Sequence, residues 1–380
     1  MKKLLTIICF ISSVSLMSAK EPVVLQTVEL MGNRFATFCI MIRTTPWEVS
    51  RDVKLHPRDE VNWHTLESVT AMREAFAKNN PDGRLTWGFT LNALEDPRQN
   101  FREIRDYAVA CHKKYGDEVS YFPGYFPAMY LPRERINREM TEAIQIITKL
   151  VGNGYRPLSI IGGFLSADNL KYLSEVEKIH VAHAVIWSQH NIDGGGADGS
   201  LSYPFYPSTE HFCKPAQGKS DFIDCVNLDG WTMDFICARQ SGTNGHAITG
   251  YNSRRGIGMI WRNHYKTNDD LNYRFEARGS GLGDSYNNLE IKWFMNKEFR
   301  LAILRDWHKR QSPAYVIDFT RYDLPAKEPD DPSPQRPVRD WSLMNVINQK
   351  GRRPQDVPKL INDLEKTDKD LIMKYYPELF

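Results

Sequence analysis

Apolar residues recur every three or four positions across 132–151, at Ile136, Met140, Ala143, Ile144, Ile147 and Leu150, and Gly152 and Gly154 follow. That stripe predicts an amphipathic helix with proline at its start and glycine at its end. The same spacing predicts helices over 64–78, 100–115 and 167–176. Between them lie dense apolar runs of strand length at 34–43, 85–91, 119–122, 158–161 and 181–187. Strand and helix alternate five times, which implies parallel strands joined by right-handed crossovers. Further on, the pattern predicts strands at 222–228, 257–261 and 314–319 and helices at 232–240 and 289–308. Residues 268–288 are polar and turn-rich. A proline-rich stretch, 327–339, reads as a linker. The charged remainder, 341–380, has a helical pattern and is expected to pack through Trp341, Leu360, Leu364, Leu371 and Tyr375.

Composition adds three constraints. The chain has 380 residues and a net charge of +2, so no footprint for nucleic acid or a membrane surface stands out. Lys2 and Lys3, the apolar run 4–17, then Ser18 and Ala19 read as a cleaved export signal, which places the mature protein in the periplasm or outside the cell. No later stretch is long and apolar enough to span a membrane. Cys9 leaves with the signal. Cys39, Cys111, Cys213, Cys225 and Cys237 remain, an odd number with no Cys-x-x-Cys spacing. They read as buried thiols, with one bridge among the last three possible.

The strand at 181–187 opens into a loop of about 25 residues, far beyond the usual connection. Loops of that length after a buried strand are where such folds build sites. This one carries Trp187, Gln189, His190, Asp193, Asp198, Tyr203, Tyr206 and His211. A second acid, Asp229, ends the 222–228 strand just before Trp231. If the strands are parallel, Asp193 and Asp229 open on one face. Two carboxylates there can hydrolyse a glycosidic bond, one protonating the leaving oxygen and the other attacking or activating water. Each acid also has a bland reading, Asp193 and Asp198 as turn residues and Asp229 as a turn residue or helix cap. His190 can act as acid or base, and its spacing from His211 matches no zinc motif. Trp187, Tyr203, Tyr206 and Trp231 can stack on sugar rings or fill the core. Gln189 and His211 can bond sugar hydroxyls. Arg254 and Arg255 form a pair that could meet an acidic sugar, or simply face solvent. No Gly-x-Ser-x-Gly elbow supports a Ser–His–Asp hydrolase.

The element order over about 34–193 resembles the polysaccharide deacetylases and their glycoside hydrolase/deacetylase barrel superfamily. Within it, the chain looks like a secreted bacterial family of unknown function. Ala36-Thr37-Phe38-Cys39-Ile40 falls where that superfamily has its T-F-D-D strand. The run from Glu118 to Pro127 falls on its E-I-G-x-H-x-x-x-H-P strand, Gly154-Tyr155-Arg156-Pro157 on its G-x-x-P step, and Val185-Ile186-Trp187 on its W-x-x-D region. The resemblance implies that a carboxylate and two histidines hold a metal. Those places carry Cys39, Phe122 and Phe126. Phenylalanine offers no ligand atom, so no metal and no cofactor is expected.

The sequence therefore points to an α/β barrel of the glycoside hydrolase/deacetylase kind over 20–326, after a signal at 1–19. A linker at 327–340 and a C-terminal helical extension at 341–380 follow. The expected function is extracytoplasmic carbohydrate processing by loop carboxylates, Asp193 and Asp229 with His190. Trp187, Gln189, Tyr203, Tyr206, His211 and Trp231 would bind the carbohydrate. The alternative is a non-catalytic carbohydrate-binding protein on a degenerate barrel of the same kind.

Overall fold

β1 (Cys39–Ile42), β2 (Thr86–Phe89) and β3 (Glu118–Tyr121) lie side by side as a parallel sheet in that order. The computed structural model describes residues 39–45, 59–123, 127–162, 165–185, 200–201, 203–229, 256–278, 289–306, 313–339, 341, 343 and 359–380. A second parallel sheet has the order β4 (Ile160–Ile161), β5 (Val181–Val185), β8 (Val226–Asp229). Among the described residues, side chains rather than a backbone ladder join the two sheets. The buried Glu118 carboxylate accepts the backbone N–H groups of Leu158 and Ser159, at 2.9 and 3.0 Å, and the Ser159 hydroxyl. Ser120 Oγ donates to the Ser159 carbonyl across the same seam.

The crossover helices follow the sequence pattern closely. α1 (Leu66–Asn79) begins at a capping box, in which Ser68 N donates to Thr65 Oγ1 and Thr65 N to Ser68 Oγ. A short helix, α2 (Leu91–Glu95), leads to α3 (Gln99–Tyr115). Gly116 ends α3 at φ 73°, a left-handed position where glycine carries no Cβ penalty. A short turn of helix, α4 (Pro127–Tyr130), precedes α5 (Arg133–Val151), which buries the expected stripe from Ile136 to Ile147. α6 (Ala167–Glu175) is capped by Ser166, with Asn169 returning the bond.

The second half departs from the sequence reading. The helix expected over 289–308 is a hairpin, β10 (Leu289–Asn296) and β11 (Phe299–Asp306). Ile291, Trp293 and Met295 alternate into the main core, while Phe294, Phe299, Leu301 and Ile303 fill a second core on the other face. In β11, burial of both faces makes a near-continuous apolar run from Leu301 to Leu304, which periodicity cannot tell from a buried helix. The turn is held by Asn296, whose Oδ1 accepts the N–H groups of Glu298 and Phe299. The turn-rich stretch 268–288 contains the neighbouring β9 (Asn272–Arg278). The expected strand at 257–261 is helical, α7 (Gly256–His264).

β12 (Tyr315–Arg321) and the two-residue β13 (Lys359–Leu360) complete a five-stranded antiparallel sheet. A two-stranded pair, β6 (Pro207–Ser208) and β7 (His211–Pro215), stands apart. One face of the five-stranded sheet packs on the α/β body. The other is covered by a 3-10 turn (Ile361–Asp363) and α8 (Lys366–Tyr375), through Leu364, Ile372 and Tyr376. The C-terminal extension is thus only partly helical. Trp341 belongs to the main core, and Leu360 is exposed.

The α/β class holds, with mixed parallel and antiparallel sheets. No sheet among the described residues closes into a barrel.

Candidate functional site

Within each of the two parallel sheets, the strands deliver their carboxyl ends to the same rim, because they run in one direction. Ligands of open α/β sheets sit outside those ends. On the inner side, a Cβ on Gly88 would lie 2.6 Å from Ile161 Cδ1, 3.4 Å from Phe122 Cβ and 3.5 Å from Cys39 Sγ. Cys39 and Phe122 therefore meet around one small space, as the deacetylase resemblance requires. Phe126 lies outside the described residues. The side chains at this space, one thiol and an aromatic ring with His183 on the same sheet face, differ from the carboxylate and two histidines of the superfamily's metal, and no group of three His, Cys, Asp or Glu side chains suited to a metal occurs among the described residues.

His183 shares this face. It pairs in register with Ile161, so the two side chains lie on the same side of the sheet, and its ring is fully buried. It is not among the residues that the sequence pattern marks for a site. The available signal was a histidine at the centre of an otherwise apolar strand.

The loop-borne candidates divide. Trp187, Gln189, His190, Asp193, Asp198, Trp231, Arg254 and Arg255 lie outside the described residues. Asp229 is the last residue of β8, where its backbone pairs with Val185 of β5. Tyr203 is half-buried and stacks on Tyr273, with ring centroids 4.4 Å apart, and burial pushes its hydroxyl pKa up to about 12.

Tyr206 and His211 are core residues instead. Tyr206 is 1% exposed, donates its hydroxyl to the Tyr265 carbonyl and packs against Phe222 and Trp261. Its ring is thereby enclosed by protein rather than offered to a sugar. The His211 ring is buried between Phe212 and Trp341, and its Nδ1 accepts the Cys213 N–H. Cys111 and Cys225 are buried free thiols, and burial pushes both pKa values up.

At the exits of β1 and β2 lies an open surface depression. Thr44 and Thr45 line it from the end of β1, and Asn92 and Glu95 from α2. Arg98 lies at the same depression, bonded to Asp59 and, at 2.6–3.0 Å, to Asp96. The guanidinium holds both carboxyls below the usual carboxylate range.

The proline-rich segment runs against the α/β body. Its Glu328 is buried and accepts the backbone N–H of Ala167, at the start of α6, and of Phe212, at 2.8 and 2.9 Å. Arg339 donates to the carbonyls of Ala128 and Leu131 at either end of α4. These residues hold the starts of two crossovers on the rim, a role no local pattern signals.

The profile of a domain of unknown function, DUF3863, matches residues 28–260 and 257–295, and that of a second, DUF3864, matches residues 300–379. No curated protein matches the chain. Among solved structures, the chain is similar to a proposed glycoside hydrolase/deacetylase from Parabacteroides distasonis. The two are 64% identical, the match covers 95% of this chain and all of the other, and the TM-score is 0.83. The fold, the replaced deacetylase motifs and these matches agree: the chain belongs to the DUF3863 family, carries a DUF3864 domain after it, and resembles the glycoside hydrolase/deacetylase superfamily.

Proposed function

We propose that this protein processes carbohydrate outside the cytoplasm, as a glycoside hydrolase that works with carboxylates of the rim rather than a deacetylase metal. The carrying observation is the position of Asp229, at the carboxyl end of a parallel strand on the rim where such folds bind ligands. The similarity to a proposed glycoside hydrolase/deacetylase supports the carbohydrate class. Asp193 would supply the second carboxylate and His190 would assist. One acid protonates the leaving oxygen while the other attacks the anomeric carbon or activates water. In this reading the two parallel sheets are arcs of one barrel, with Glu118 and Ser120 bridging the gap between them. The signal-like residues 1–19 support export.

Turnover of an oligosaccharide library by the intact protein and by Asp229→Asn tests the reading. A general acid or base contributes ~10²–10⁴-fold, so the variant should lose at least about 100-fold in rate. Activity within a few-fold of wild type would remove Asp229 from the chemistry.

A second reading is a carbohydrate-binding protein without turnover. The meeting of Cys39 and Phe122 where the superfamily holds its metal favours it. Tight oligosaccharide binding with no product from any library member would select it.

A further inference from the structure

The DUF3864 match begins at residue 300, and the region it covers grips the α/β body at the exits of three successive strands. Arg300 of β11 is fully buried, pairs with Asp318 of β12 and donates to the Ser200 carbonyl, in the connection that leaves β5. Glu328 accepts the Ala167 N–H, where the connection from β4 ends. Its other oxygen accepts from Arg133 Nη2, at 3.2 Å, where the connection from β3 ends. Arg339 donates its backbone N–H to the Met129 carbonyl and its guanidinium to the Ala128 and Leu131 carbonyls, all in the connection from β3. Asp331 ties this strap together by accepting from both Arg133 and Arg339.

A single carboxylate that reaches the starts of α5 and α6 puts the exits of β3 and β4 side by side. Asn169 spans the same gap, donating its Nδ2 to the Arg133 carbonyl at 3.0 Å. Ligands of α/β sheets sit outside such exits. The grips are enclosed, with the Glu328 side chain 8% exposed and that of Arg339 2%. They act on backbone groups that a helix start or a loop leaves unpaired, and so fix the path of each connection. Groups carried on connections need such support, because a site tolerates only ~0.5 Å of error in their placement.

We propose that the DUF3864 region is a positioning unit for the carbohydrate site, in which Glu328 and Arg339 clamp the connections leaving β3 and β4 in the form that takes the ligand. Both are positioning residues, since they act through the backbone of other residues. What binds there rests on the carbohydrate reading above; the clamp rests on the strap's own contacts.

Hydrogen exchange and oligosaccharide turnover by the full chain test the clamp, with Glu328→Met and Glu328→Gln. Glutamine keeps an oxygen that can accept both the Ala167 and the Phe212 N–H, whereas methionine fills the space without an acceptor. In Glu328→Met those two amides should exchange at least about tenfold faster, while the amides of β2 keep their wild-type rates. The turnover probe is whichever of the cello-, xylo- and N-acetylglucosamine tetramers the wild type cleaves fastest. Its kcat/KM should fall at least about tenfold, mainly through a higher KM. A merely less stable chain would lose kcat at constant KM, because fewer molecules would be folded. Glu328→Gln should stay within about threefold of wild type in both readouts. Asp331→Ala alters an exposed side chain and removes an acceptor of the Arg133 N–H, so it serves if Glu328→Met does not fold. It should speed exchange at Arg133 and raise KM, each by at least about threefold.

Wild-type KM in the variant that folds, or faster exchange spread evenly into β2, overturns the clamp. Glu328→Gln as impaired as Glu328→Met does the same. Cleavage that still depends on Asp229 in those cases leaves the hydrolase reading standing without the clamp. If the wild type neither binds nor cleaves any of the three tetramers, the carbohydrate reading falls and exchange alone decides: a local rise keeps the clamp, and an even or absent one removes it.

Discussion

Replacing Asp117 by asparagine removes one charge from the most enclosed polar cluster in the α/β body. Asp117 is fully buried and accepts four bonds: Arg73 Nε at 2.7 Å, Arg73 Nη2 at 2.9 Å, Leu85 N at 3.0 Å and Trp87 Nε1 at 3.0 Å. Arg73 is equally buried, with its guanidinium 3.8 Å from the centre of the Tyr115 ring. The asparagine keeps the shape and leaves the Arg73 cation without a counter-charge. Breaking a buried pair from one side costs ~3–5 kcal/mol, a large share of the ~5–15 kcal/mol that holds a typical domain folded. Asp117→Ala should be worse, because Leu85 N and Trp87 Nε1 also lose their acceptor, at ~1–3 kcal/mol each. Removing both charges at once, with Arg73→Met and Asp117→Asn, should recover part of the single-variant loss. Urea unfolding of the three variants measures these differences through the midpoint at constant slope. Asp117→Asn within about 1 kcal/mol of wild type would refute the reasoning, since it would mean that the pair's ~3–5 kcal/mol one-sided penalty is absent here. So would a double variant less stable than Asp117→Asn alone.

Two further outcomes follow from the packing. Gly88→Ala places a Cβ 2.6 Å from Ile161 Cδ1, so it should destabilise by ~1–3 kcal/mol in thermal or urea unfolding; adding Ile161→Val removes that atom and should restore part of the loss. Glu328 has its pKa raised, first by burial, so its neutral form is the one the fold prefers. Its contribution is then fully present below the unfolded value near 4.5 and is lost as pH rises through the higher folded value. Melting temperatures taken from pH 4 to pH 7 should show wild type falling relative to Glu328→Gln; a constant difference across that range would count against the burial argument.

Local pattern alone was enough for the first half of the chain. The helix expected at 132–151 forms at Arg133–Val151, and the one expected at 100–115 forms at Gln99–Tyr115 and stops at Gly116. These succeed because one face is buried and the other wet, so period and burial coincide. The superfamily resemblance was also legible, since Cys39 on β1 and Phe122 just past β3 come together at Gly88.

Tertiary structure decided the rest. Residues 289–306 form a hairpin in which β11 is buried on both faces, between the α/β body and α8, and that erases its alternation; β10 keeps an alternation of its own, and its pairing with β9 and β11 fixes it as a strand. Tyr206 and His211 carry side chains suited to a sugar site, and packing encloses both in the core; residue type does not say which way a side chain faces. Arg73 finds Asp117 from 44 positions away, and Glu328 finds Ala167 from 161. The proline-rich segment has the composition of a linker, yet its buried carboxylate and guanidinium hold the starts of α6 and α5 and the ends of α4. Sequence thus determined the elements whose stability is local, through period, caps and glycine stops. Only the folded chain could decide which polar groups lose water together, because that choice depends on partners far apart in sequence that must satisfy one another once buried.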